Sequence, residues 1–111
     1  IMFITLENNV VVGWGTAKPD EGLTYVESDE KFDMYWEYDP STKKFNKPDR
    51  FKFNDIRIER NRLLQASDYT QLSDSTYPST QDAWKTYRQQ LRDITKGVTD
   101  PDTIVFPEEP K

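Results

Sequence analysis

Near residue 50 the spacing of apolar residues changes period, and that change governs what the chain can fold into. Before it, apolar side chains come in short runs or in alternation, as in Leu23-Thr24-Tyr25-Val26-Glu27, the period of an extended strand. After it, Trp84, Tyr87, Leu91 and Ile94 recur at intervals of three, four and three, the period of a helix. The two patterns are segregated rather than interleaved, so the expected class is α+β. Residues 1–50 are predicted to form a small antiparallel β-sheet. Residues 51–111 are predicted to form a two-helix hairpin with an extended, Pro-containing tail.

Within the first part, Met2-Phe3-Ile4-Thr5-Leu6 and Val10-Val11-Val12 flank Glu7-Asn8-Asn9. Asn tolerates positive φ, so this reads as a hairpin. Gly13-Trp14-Gly15 suggests a bend or bulge at the strand end. A loop over residues 17–22 leads to a strand at Leu23 to Glu27, an acidic turn, and a strand at Met34 to Tyr38. Asp39-Pro40-Ser41-Thr42 is a turn, and Lys43-Lys44-Phe45 starts the return strand. Asn46 to Arg50 is the expected joint, with Phe51-Lys52-Phe53 as a last extended piece.

The first helix is expected from Asn54 or Asp55 to about Ala66, with Ile56, Arg60, Leu63 and Leu64 near helical spacing. The second is capped by Ser79 or Thr80, carries Asp82 in its first turn, and runs on to Gly97. The tail, through Ile104-Val105-Phe106 to Pro110, is expected to be non-helical and to pack back in extended form.

Charge and missing residue types exclude several functions. The formal charge is −5, with 15 Lys and Arg against 20 Asp and Glu. Residues 1–48 hold 5 basic against 9 acidic residues, residues 49–96 hold 9 against 7, and residues 97–111 hold 1 against 4. No segment is the dense basic surface that phosphate tracking requires, so nucleic acid is not an expected partner. There is no Cys and no His. Zinc sites of the Cys/His kind, a disulfide framework and a His or Cys catalytic centre are therefore excluded. No apolar run approaches the length of a transmembrane helix, so no membrane insertion is expected. The opening Ile1-Met2-Phe3 has no signal-peptide character, and an initiating Met is expected upstream unless the chain was trimmed. No cofactor is implied.

The segment between the helices, Ser67-Asp68-Tyr69-Thr70-Gln71-Leu72, holds an acid, two aliphatic hydroxyls and an amide. Asp68 and Asp74 are the one carboxylate pair worth weighing for catalysis, and a turn-holding role is favoured over it in so short a chain. In that role the Asp68 carboxylate accepts from the backbone N–H of Thr70 or Gln71. Tyr69 and Leu72 are expected to fold down onto the Trp84, Tyr87 and Leu91 seam. Arg88 and Arg92 repel each other weakly at four residues apart. That spacing makes sense if each has an acidic partner, either within the chain (Asp68, Asp74 or Asp93) or on another protein.

Three motifs in order carry a resemblance. R-x-R-L-L-x-x-S-D-Y-T-Q-L-x-D spans Arg60 to Asp74, W-K-T-Y-R-Q-Q-L-R-D-I spans Trp84 to Ile94, and I-V-F-P-x-x-P spans Ile104 to Pro110. Together, over about residues 57–110, they resemble the bacteriophage tail assembly chaperone family. Tyr69 stands where the family usually has Trp, Thr95 where it usually has Pro, and Phe106 where it often has Trp. Two of the three departures keep an aromatic ring, and Thr95 is expected to let the helix continue.

The resemblance implies a non-enzymatic phage protein that assists tail or tail-fibre assembly by binding a tail or fibre polypeptide. Its place would be the host cytoplasm during assembly. The alternative is a structural component of the virion tail, baseplate or fibre tip, with host-receptor binding as a further option. Candidate partner-binding residues are the sheet aromatics Trp14, Tyr35, Trp36 and Tyr38, together with Arg88 and Arg92. About half of the aromatics must face inwards in an alternating sheet. Low aliphatic content, within 34% hydrophobic residues overall, also admits a homo-oligomer.

Overall fold

The computed structural model describes residues 1–111, which pack as two compact units, Ile1–Pro48 and Asp49–Lys111. The first unit holds β1 (Met2–Glu7), β2 (Val10–Gly15), β3 (Tyr25–Ser28), β4 (Glu37–Asp39) and β5 (Lys44–Asn46). They form one antiparallel sheet in the order β3-β1-β2-β4-β5. The second unit holds α1 (Asp49–Ala66) and α2 (Gln81–Arg92), with 3-10 turns at Asp68–Gln71 and Pro101–Thr103. The protein is α+β, with the sheet preceding the helices as the sequence predicts.

Asn8 and Asn9 close the β1–β2 hairpin with φ of 52° and 61°, the pair of left-handed residues that a tight hairpin turn requires. The register then slips: Leu6 faces Val11 but Thr5 faces Gly13, which leaves Val12 as an extra residue in β2. This bulge sits before the Gly13-Trp14-Gly15 run rather than within it. Its effect is to place Trp14 opposite Ile4, on the face that carries the core.

Ile4, Leu6, Val11 and Phe45 are buried, and Met2, Val26, Phe32, Trp36 and Tyr38 pack against them. Val26 comes from one edge strand and Phe45 from the other, so the sheet curls around a single apolar cluster. Two strands are shorter than their composition suggests. β3 omits Leu23 and Thr24, although Leu6 N–H still donates to the Thr24 carbonyl at 2.9 Å. β4 omits residues 34–36, because Tyr35 has φ of 64° and breaks the extended run. The Asp39 carboxylate accepts from the backbone and hydroxyl of Ser41 at 2.9 and 2.7 Å, which fixes the β4–β5 turn. These bonds hold the Asp39 carboxyl below its ordinary value.

In the second unit α1 begins at Asp49, directly after Pro48, and not at Asn54 or Asp55. Phe51-Lys52-Phe53 is therefore helical, not extended. Proline is well placed at a helix start, where the first N–H groups have no partner in the helix. No residue of α1 is fully buried. Its first turns are held by the Pro101–Thr103 turn, with Lys52 Nζ 3.0 Å from the Asp102 carboxylate.

α2 shows its seam plainly. The Thr80 hydroxyl accepts from Ala83 N–H at 3.1 Å as the N-terminal cap, and Trp84, Tyr87 and Leu91 are buried. Leu63, Leu64, Tyr77 and Phe106 pack against these three. The helix ends at Arg92 instead of running to Gly97. The chain tightens there, Ile94 N–H donating to the Leu91 carbonyl three residues back, and residues 93–97 form turns. The tail departs from a fully extended path at Pro101–Thr103, where the Asp100 carboxylate accepts from Asp102 N–H at 3.0 Å.

Candidate partner-binding surfaces

The most constrained part of the second unit is the link between the helices. Ser67 ends α1, and its buried hydroxyl donates back to the Leu63 carbonyl at 2.8 Å. Arg88 reaches across from α2. Its Nη1 donates to the Leu64 carbonyl at 2.6 Å and to Ser67 Oγ at 2.7 Å, and its Nη2 donates to Asp68 Oδ1 at 2.8 Å. Thr70 is fully buried, its hydroxyl donating to the Ser67 carbonyl at 2.6 Å and accepting from Gln71 Nε2 at 3.0 Å. Gln81 Nε2 donates to the Thr70 carbonyl at 3.3 Å. A guanidinium held on three acceptors permits little rotation, so the loop backbone is fixed.

This arrangement corrects two expectations. Asp68 does not hold the turn through Thr70 or Gln71; the Thr70 N–H donates to the Ser67 carbonyl, and the Asp68 carboxylate serves Arg88. Tyr69 and Leu72 are not lids on the seam. They are 44% and 56% exposed, and Thr70 lies buried between them. The reason is local geometry. In a 3-10 turn residues three apart stack, so Ser67 and Thr70 share the inner side and Tyr69 is turned out. Its ring meets only the edge of Tyr77, centroids 6.3 Å apart.

Behind the loop the seam is closed by polar and aromatic contacts. Trp84 Nε1 donates to the Pro78 carbonyl at 2.7 Å, and the Trp84 and Tyr87 rings meet edge to face with centroids 5.5 Å apart. Burial raises the Tyr87 phenol above its ordinary value. On α1 the Arg62 guanidinium bonds Glu59 and lowers that carboxyl.

The sheet aromatics divide. Trp14 is 45% exposed, with one edge against Phe32 at 5.0 Å, and Tyr35 is 53% exposed. Trp36 and Tyr38 are half-buried against the core of the first unit. Arg88 has only 14% of its side chain exposed and is occupied internally. Arg92 bonds the amide oxygen of Gln89 at 2.8 Å and not an acid. Ser67, Thr70, Gln71 and Gln81 were not singled out from composition. The signal that marks the first two is their spacing of three, which suits a single 3-10 turn. Nowhere do three acidic side chains converge in a metal-binding arrangement, and no helix is long and apolar enough to cross a membrane.

The second unit is thus a two-helix module with a rigid, outward-facing loop and a tail folded back on its seam, and the sheet precedes it. A sequence model described as phage tail assembly chaperone protein matches residues 53–111, which include nearly all of that unit. The chain belongs to the phage tail assembly chaperone family. No curated protein and no solved structure matches it.

Proposed function

We propose that the protein is a non-enzymatic assembly factor that binds a tail or tail-fibre polypeptide of the phage. Family membership supports the assembly role, and the exposure of Tyr69 and Leu72 on a hydrogen-bonded loop is the observation that carries the binding reading. Large apolar side chains held outward on fixed backbone lose little further freedom when they dock, which favours recognition. Trp14 of β2 and Tyr35, in the turn before β4, are the second pair of contact groups, exposed to a similar degree.

The test is complementation of a phage lacking this gene product with the Tyr69→Ser/Leu72→Ser variant, and separately with Trp14→Ser/Tyr35→Ser. The expected result is loss of assembled tails or fibres with an unchanged melting temperature. Normal particles from both variants would overturn the reading. Mass spectrometry of purified particles distinguishes the transient role, in which the protein is absent, from retention as a stoichiometric tail component.

A further inference from the structure

The sheet of the first unit has two free edges, since the order β3-β1-β2-β4-β5 leaves β3 and β5 unpaired on their outer sides. Ile4 faces Val26 and Met2 faces Ser28, while Leu6 N–H donates to the Thr24 carbonyl at 2.9 Å. Hydrogen-bonded pairs alternate along an antiparallel ladder. Thr24, Val26 and Ser28 therefore direct their peptide groups to β1, and Tyr25 and Glu27 direct theirs outward. The Glu27 end of that rim opens on a cleft of about 450 Å³, walled by Ile1 and residues 27–30 on one side and by Tyr38 and Lys43 of the β4–β5 hairpin on the other. The curled sheet stops short of closing, and the cleft lies at its seam.

We propose that this seam takes an extended polypeptide strand carrying Lys or Arg, paired to the outer edge of β3. The charges select the occupant. Glu27, Asp29 and Glu30 stand on the β3 wall; Asp29 lies 3.2 Å from the Ile1 nitrogen, and Glu27 and Glu30 pair with no Lys or Arg. The unit as a whole holds 5 basic against 9 acidic residues. A second copy would bring the acids of one β3 against those of another, which like-charge repulsion disfavours across a strand pair. A basic strand meets the opposite field. Main-chain bonds to Tyr25 and Glu27 supply the register, and the acids supply the choice of sequence. Lys43 on the far wall confines the basic side chains to the β3 side.

The experiment uses the full chain and two synthetic seven-residue peptides, one alternating Lys with Thr and one alternating Glu with Thr. Amide hydrogen exchange is followed residue by residue by NMR. The Lys peptide is expected to slow exchange at Tyr25 and Glu27 by about tenfold or more, and the Glu peptide to leave both unchanged. Glu27→Pro removes an outward N–H that β1 does not use, a position where an edge strand accepts proline. It should weaken Lys-peptide binding at least about tenfold with the melting temperature unchanged. Should that variant melt lower, Glu27→Lys/Glu30→Lys is the substitute, and it should reverse the preference in favour of the Glu peptide. Unchanged exchange at Tyr25 and Glu27 under saturating Lys peptide overturns the proposal, as does equal binding of the two peptides. Protection that rises with protein concentration alone would assign the seam to a second copy and also overturn it. The probes are peptides and not a tail protein, so failure here leaves the assembly role standing, and failure of the Tyr69 and Leu72 variants leaves the seam standing.

Discussion

Arg88 on α2 donates to the hydroxyl of Ser67 at 2.7 Å across 21 positions of sequence, and this contact joins the end of one helix to the middle of the other. The same nitrogen satisfies the Leu64 carbonyl at 2.6 Å. Its ion pair with Asp68 is the weaker part, because the Asp68 side chain is largely in solvent and exposed pairs contribute little.

Arg88→Lys keeps the charge but loses the fork that meets three acceptors at once. We expect a loss of about 2 kcal/mol in chemical denaturation, the cost of leaving two part-buried acceptors without their charged donor. Asp68→Ala, by contrast, should cost under about 1 kcal/mol. Equal losses would mean that the ion pair, not the bonds to Leu64 and Ser67, holds the loop.

Thr70→Val preserves shape and removes the hydroxyl that donates to the Ser67 carbonyl. The expected destabilisation is about 1–2 kcal/mol. Faster amide exchange should appear in residues 67–72 and not in α2. A uniform change across the second unit would show that Thr70 acts through packing alone.

Asn9 sits at φ 61° in the hairpin turn. Asn9→Gly should leave stability unchanged or raise it by a few tenths of a kcal/mol, since glycine is the preferred residue there. Asn9→Val should cost about 1–2 kcal/mol, because a β-branched residue resists that conformation. Thermal melts of the two variants check the ordering.

Tyr87 is buried against Trp84, and burial raises its phenol above the free value of about 10. Burial favours the neutral form, so this stability is fully present below the unfolded pKa and is lost as pH rises through the higher folded value. In an alkaline absorbance titration Tyr87 should ionise above the ordinary tyrosine range. That step should vanish in Tyr87→Phe, whose alkaline unfolding should begin at higher pH. An unshifted titration would mean the ring is solvated.

The parts legible in the sequence were those where one signal dominates. α2 has a capping hydroxyl at Thr80 and an apolar seam at helical spacing, and both are as the spacing predicts. The Asn8-Asn9 turn was readable because few residues tolerate its backbone. The start of α1 was not. Phe51 and Phe53 alternate about Lys52 as in a strand, and none of the helix is fully buried, so its apolar periodicity is weak. In the loop, hydrophobicity pointed to Tyr69 and Leu72 as the inner residues. A hydroxyl that finds its carbonyl can be buried as well as an apolar group, and Thr70 took that place. A pattern of hydrophobicity cannot register such a partner.

The extra residue at Val12 makes the first hairpin a matter of parity. Loss of one codon there would leave the turn at Asn8 and Asn9 untouched and the strand hardly shorter. It would remove the bulge and leave a regular ladder, with the indole of Trp14 still on the side it shares with Ile4 and Phe32. Loss of two codons would set Trp14 opposite Thr5 and exchange the two faces of everything beyond. In this stretch, odd and even length changes in the gene would therefore sort into two phenotypes, and the loss of a single residue would be the milder.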